Sequence, residues 1–293
     1  MSESPGFDPS TDGVPDAALE TSARVVLGVA MAGLGVLGLI HGDFALVWQR
    51  IPIAVLPGRT AIAYTCAALE LLTGLGLLFR RTAGAASAIL FPYSVLWLVL
   101  LKLPAVLAVP SMPATWLGFG EIAVLAAGCW ILFILFAGGR ERSRLRFLQG
   151  ERGTRGARLL FAVSLPMIGL AHFVYGEQTA AMVPHWLPWR LGWAYLTGAG
   201  SIAAGLGVLF GVWARLAAAL EAWMLLMFTL LVWGVGILGA PGERVQWTGF
   251  FISAAITAGA WAVAVSYRGV PWRAVTLLRK SPRQELPAAP LAE

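Results

Sequence analysis

Charge is scarce in this chain. Asp, Glu, Lys and Arg make up 12% of 293 residues, against a hydrophobic share of 58%, where soluble domains carry about 25% charged residues. With a mean hydropathy of +0.76, the side chains cannot cover a water-facing surface, so the chain must face lipid. Cysteine and histidine are scarce too. Cys66 and Cys129 form no C-x-x-C and both lie in apolar runs, which leaves thioredoxin-like and zinc readings without support and predicts two buried free thiols. The three histidines, His41, His172 and His185, lie near the outer ends of their segments. They offer no ring pair across a bundle interior, so neither haem nor another metal is expected. No phosphate-binding loop and no Ser-His-Asp or Cys-His order is present; the Gly-Leu-Gly segments fall within apolar runs and read as packing sites. Residues 1–22 lack the basic start and apolar stretch of a signal peptide; their acidic, Ser- and Pro-containing composition predicts a disordered cytoplasmic tail.

What the chain does have is a repeat. A shift of 131 residues places His41 on His172, Tyr64 on Tyr195 and Leu56-Pro57 on Leu187-Pro188. The same shift places Gly74-Leu75-Gly76 on Gly205-Leu206-Gly207, Trp116 on Trp247 and Trp130 on Trp261. Matches spread along the whole unit read as duplication.

Each copy holds four apolar runs: 23–42, 60–79, 83–103 and 115–137, then 157–175, 191–211, 213–238 and 247–267. All are near the ~20 residues that cross a bilayer as a helix. The expectation is therefore an all-α integral membrane protein with eight transmembrane helices, arranged as two tandem four-helix bundles. The first unit spans 23–139, a basic linker 140–156, the second unit 157–268 and a basic tail 269–293. Basic residues concentrate in that linker, in that tail and at Arg80-Arg81. Putting all three on one side makes both termini cytoplasmic in the cell membrane. The same placement, between apolar runs and never on a basic face, argues against nucleic acid as a partner. Four spans per unit make the repeats parallel rather than inverted. The outer connectors 43–59 and 176–190 are rich in Trp and Pro and predict short interfacial or re-entrant segments.

Several motifs in a shared order now carry a family resemblance. The second unit has Gly169-Leu170-Ala171-His172-Phe173, Met182-Val183-Pro184-His185-Trp186-Leu187-Pro188, Gly205-Leu206-Gly207-Val208-Leu209 and Arg215-Leu216-Ala217-Ala218. The first has His41 through Phe44, Leu56-Pro57, Glu70 through Phe79 and Arg80-Arg81. Both resemble the DoxX-like family of four-helix membrane proteins, over residues 23–267, with tandem duplication as a departure from the usual single bundle. That family typically places an acid shortly before the Gly-x-Gly segment; Glu70 matches it and Ser201 does not. The resemblance implies a membrane component of a redox system, touching quinone or a sulfur compound, with another membrane or redox protein as partner. It equally admits a non-enzymatic chaperone, assembly factor or small-molecule binder, and a permease is a third alternative.

Ionisable groups within spans are costly and suggest function. Glu70 lies about 15 Å into the second span and Glu121 about 9 Å into the fourth, at 1.5 Å per residue. With His41, Tyr64 and Lys102 they can face one another in the outer half of the first bundle, as a polar pocket that opens outward over an acid able to exchange protons. Structural roles compete: Lys102 as a boundary residue reaching for water, His41 bonding a loop carbonyl, Glu70 joining helices. The second unit keeps His172 and Tyr195 but has Ser201, Trp233 and Ile252 in place of Glu70, Lys102 and Glu121. Any chemistry is therefore expected in the first unit. Glu221 has no evident partner and is assigned no role.

Overall fold

A computed structural model describes residues 13–49, 57–137 and 146–276. Eight of its helices are long and apolar enough to cross a membrane: Ala18–His41, Arg59–Leu78, Ala83–Ala108, Pro113–Phe136, Gly150–Val174, Arg190–Phe210, Ala214–Gly239 and Arg244–Val265, called spans one to eight below. No strand joins them among the described residues, so the protein is an all-α multi-pass membrane protein. A further, short helix, Gly176–Met182, follows span five in the connector to span six.

Three boundaries differ from expectation. The first helix already begins at Gly13, within the expected tail. Span five begins at Gly150, inside the expected linker. Residues 269–276, in the expected tail, fold back onto the turn between spans six and seven: Trp213 N–H donates to Ala274 O at 2.9 Å and Thr276 N–H to Gly211 O at 2.8 Å. In each case polar residues at a helix end satisfied the composition of a loop while the backbone gained hydrogen bonds from neighbours. What the sequence predicts for 1–12, for 50–56 with Leu56, for 138–145 and for 277–293 lies outside the described residues.

The spans do not sort into two separate quartets. Span one packs against span two, as within-unit pairing requires, but also along span eight; span four packs against span five and span eight. Spans four and eight are thus the shared centre. Their sequences explain it: they are apolar on every side, as a fully enclosed helix must be, and Ile122 through Ala127 and Ala258, Ala260, Ala262 and Val263 are almost wholly buried. Where they cross, Gly128 meets Gly259, its own counterpart under the 131-residue shift. A Cβ added at Gly128 would lie 2.6 Å from the Gly259 carbonyl oxygen. A residue touching its own copy marks an isologous contact, so the two units relate by a pseudo-two-fold axis at this crossing. Inside lipid such close approach supplies the packing that hydrophobicity cannot.

The duplication also repeats a defect. Span three carries a π-helical turn at Leu98–Lys102 and span seven one at Thr229–Gly234, in the same register. Pro104 follows the first and withholds a backbone donor, but Val235 follows the second, so proline is not the common cause. In span seven Thr229 Oγ1 bonds Leu225 O at 3.0 Å, Ser253 Oγ at 2.8 Å and Thr257 Oγ1 at 3.0 Å. The turn lays Lys102 over Gly118 and Trp233 over the matching Gly249.

Candidate functional site

The five residues proposed for a first-unit pocket divide into two groups. Glu70, Lys102 and Glu121 are all reached by the connector that leaves span one. His41 and Tyr64 stand apart and are exposed, with Tyr64 44% exposed; the Tyr64 hydroxyl closes over Gly42, whose φ of 60° favours a residue without Cβ.

The connector Asp43–Gln49 turns into the bundle instead of lying over it. Phe44, Ala45 and Gln49 are buried. Its entry is clamped from outside: Asp43 pairs with Arg59 at 2.7 Å and with Arg244 at 3.8 Å, and Arg244 also donates to Phe44 O at 2.7 Å. Because Arg59 opens span two and Arg244 opens span eight, the clamp joins the two units.

Inside, the connector meets both acids. Trp48 Nε1–H donates to Glu121 Oε2 at 3.0 Å, and Trp48 O accepts from Trp97 Nε1 at 2.7 Å. Lys102 Nζ reaches Val47 O at 3.4 Å and is near enough to Glu121 for the two charges to interact without an ion pair. The Trp48 ring meets Trp233 edge-on, centroids 5.8 Å apart, which brings the second unit's counterpart of Lys102 to the same spot. One residue on, Gln49 Nε2 donates to Glu70 Oε1 and lies 2.8 Å from the Tyr93 hydroxyl; that hydroxyl donates to Glu70 Oε1 at 2.6 Å. Gln49 Oε1 in turn accepts from Ala45 N–H at 3.0 Å. Glu70 is 2% exposed. Cys66, one turn earlier on span two and only half-buried, lies beside Tyr93; Cys129 is buried as expected.

These bonds give both carboxylates donors from the protein itself, two of them from the connector and one from span three. A groove of about 550 Å³ does lie on the exposed side of span two, lined by Tyr64, Leu69, Thr73 and Ile89 among others, but Glu70 does not line it. No group of three or more potential metal-ligating side chains occurs among the described residues.

The second unit is less depleted than its sequence suggests. Ser201, where Glu70's counterpart would be, donates from Oγ to Glu221 Oε1 at 3.0 Å, both residues 1% exposed. Glu221 corresponds to Leu90, one helical turn before Tyr93. The buried acid has crossed the interface, from the second helix of the unit to the third, and kept a hydroxyl partner. Its Oε2 finds no hydrogen-bond partner among the described residues. His172 Nδ1 lies 2.9 Å from Ile168 O, one turn back in its own helix, and Tyr195 stacks on Phe173 at 5.4 Å; both serve packing.

Gln49 and Tyr93 escaped the sequence reading, and Trp48 entered it only as a residue for the water–lipid boundary, whereas the structure sets it against Glu121, Trp97 and Trp233. The available signal was an amide beside an indole in an apolar connector, and a lone phenol in an apolar run. What joined them to the acids was the inward turn of the connector: its composition admitted a re-entrant segment, but no local pattern encodes which side chains it carries to the acids.

One family model matches the chain, a domain of unknown function (DUF8561), over residues 161–235. That stretch takes in most of span five, span six and most of span seven, less than half of the chain. No curated protein and no solved structure matches it.

Proposed function

We propose that this protein is a tandem duplication of a DoxX-like four-helix unit, with both termini in the cytoplasm, and that it acts as a non-enzymatic membrane scaffold or assembly factor. One observation carries the reading: the first unit's acids are occupied by Trp48, Gln49 and Tyr93 of the same chain. Carboxylates used this way hold an outer connector inside a bundle, which is a structural task, and they leave the lipid-exposed faces of spans two, three, six and seven to meet another membrane protein. Crosslinking in native membranes is expected to recover one membrane partner in constant ratio to the chain. Recovery of none would remove the reading.

A second reading rests on a separate observation, the chain of contact from Cys66 through Tyr93 to Glu70. A thiol, a phenol and a carboxyl in sequence suit the redox role that the DoxX-like resemblance implies. Quinone co-purifying with the protein, together with altered oxidant sensitivity in Cys66→Ser and Glu70→Gln, supports it. Absence of both effects rejects it.

A further inference from the structure

The arginine-rich end of the molecule holds a cavity that no function above uses. Residues 266–276 form a strap across the start of span seven. The strap is pinned at Trp213 and Thr276 by the backbone bonds already described and at Val270 O by Arg215 Nη1, 3.0 Å away. Trp213 accepts a φ of 51° there, a left-handed conformation costly for a bulky side chain. Between the strap, spans seven and eight and the first helix lies a cavity of about 250 Å³.

Its walls have two characters. Trp223, Trp261 and Ala219 make an apolar slot, and the Trp223 indole is 56% exposed on the span surface. Arg215, Arg268 and Trp272 close the polar end. Glu20 pairs with Arg268 and offsets its charge. Among the described residues Arg215 has no acidic partner: its guanidinium lies 4.1 Å over the Trp272 ring, and its Nε and Nη2 find no hydrogen-bond partner there. Arg273, exposed, follows on the strap. Among the described residues the excess charge at this mouth is therefore positive.

Size, charge and surroundings together select a ligand. The volume is below the roughly 300–1,000 Å³ of pockets that enclose a whole drug-sized ligand. It fits the polar end of a molecule whose remainder stays outside along the exposed Trp223 face. Basic pockets between spans near a membrane boundary take anionic headgroups, and a guanidinium with two free donors matches phosphate oxygens. We propose that this cavity is a binding site for one acidic phospholipid of the surrounding leaflet, with its phosphate at Arg215 and its acyl chains along Trp223.

The test uses the full-length protein purified in mild detergent and exchanged into nanodiscs of phosphatidylcholine with a minor fraction of phosphatidylglycerol. Retained lipid is counted by native mass spectrometry. One phosphatidylglycerol per chain is expected, enriched over its share of the bilayer. Arg215→Gln keeps a donor for Val270 O and is expected to lower the enrichment on the order of fivefold, the weight of one basic group near a charged surface. Ala219→Phe leaves every charge in place but fills the slot, and is expected to abolish retention; it decides the matter should Arg215→Gln not fold. Inorganic phosphate at millimolar concentration is expected to leave retention unchanged. Equal retention of phosphatidylcholine, loss of the lipid to phosphate competition, or full retention in Ala219→Phe would each overturn the proposal.

Discussion

Gly128→Ala tests the shared centre of the fold directly. The added methyl would lie 2.6 Å from the Gly259 carbonyl oxygen and 2.7 Å from its carbon, where van der Waals contact requires about 3.5 Å or more. The obstacle is helix backbone, so no side chain can rotate away. The Gly259 Cα is closer still, so spans four and eight must separate by more than about 1 Å at the crossing, and a gap of about 0.5–1 Å already forfeits a quarter to a half of each dispersion contact it opens. Overpacking of this kind costs about 1–3 kcal/mol, and the rigidity of both partners puts Gly128→Ala near the upper figure. For a chain of this size 1 kcal/mol moves the melting temperature by roughly 2–4 °C, so a fall of about 6–12 °C is expected in detergent, read by the loss of the monodisperse peak after heating. The pseudo-two-fold axis adds a sharper expectation. Gly259→Ala, whose Cβ would lie 2.9 Å from Val124 O, should cost a similar amount. The double variant should cost less than the sum, because helices already parted accommodate the second methyl. Gly200→Ala is the control: its Cβ would meet nothing nearer than Met224 Sδ at 3.5 Å, and helix propensity alone favours alanine by about 1 kcal/mol. If Gly128→Ala proves as benign as Gly200→Ala, or if the two alanines simply add, the central crossing is not where this structure places it.

Three further outcomes follow from the buried polar groups. Glu70→Leu strands the Tyr93 hydroxyl proton and one of the two N–H groups of Gln49 Nε2, the other still reaching the Tyr93 oxygen, at about 1–3 kcal/mol for each stranded donor, whereas Glu70→Gln keeps an acceptor and should retain most of the melting temperature; equal losses would contradict the bonding described. Glu221→Leu strands only the Ser201 hydroxyl and removes an oxygen that already lacks a partner, so it should be markedly milder than Glu70→Leu in the same assay, neutral or even stabilising. Burial raises the Tyr267 hydroxyl above its ordinary value, with Arg158 over its ring opposing that rise. In alkali the folded state then holds its proton longer than the unfolded chain, so this group's contribution is complete below about pH 10 and is lost as pH rises further through the folded value. Tyr267→Phe should flatten that part of the stability profile, and an unchanged alkaline slope would rule the linkage out.

Much of this protein was legible in its composition and spacing. Eight apolar stretches of crossing length can only be helices in lipid, because backbone donors and acceptors there have no water to turn to. The 131-residue repeat then set matching registers, and the structure keeps them down to the paired π-helical turns. The ionisable residues within spans could also be named from sequence, since their cost makes them conspicuous. What sequence could not supply is who meets whom across the chain. Helix faces in lipid are nearly alike in polarity, so no hydrophobic pattern says that span eight, rather than span four, lies along span one. Small residues at i and i+131 permitted the Gly128–Gly259 crossing, but their mutual contact is a property of the docked units. The acids show the same division. Glu70 and Glu121 were plain in the sequence as charges within spans, while their partners Trp48 and Gln49 come from a connector whose inward turn is set by Asp43, Arg59 and Arg244 acting from three distant parts of the chain. Glu221 and Ser201 stand 20 residues apart on different helices, and only the packing of spans six and seven makes them the second unit's version of the same buried pair.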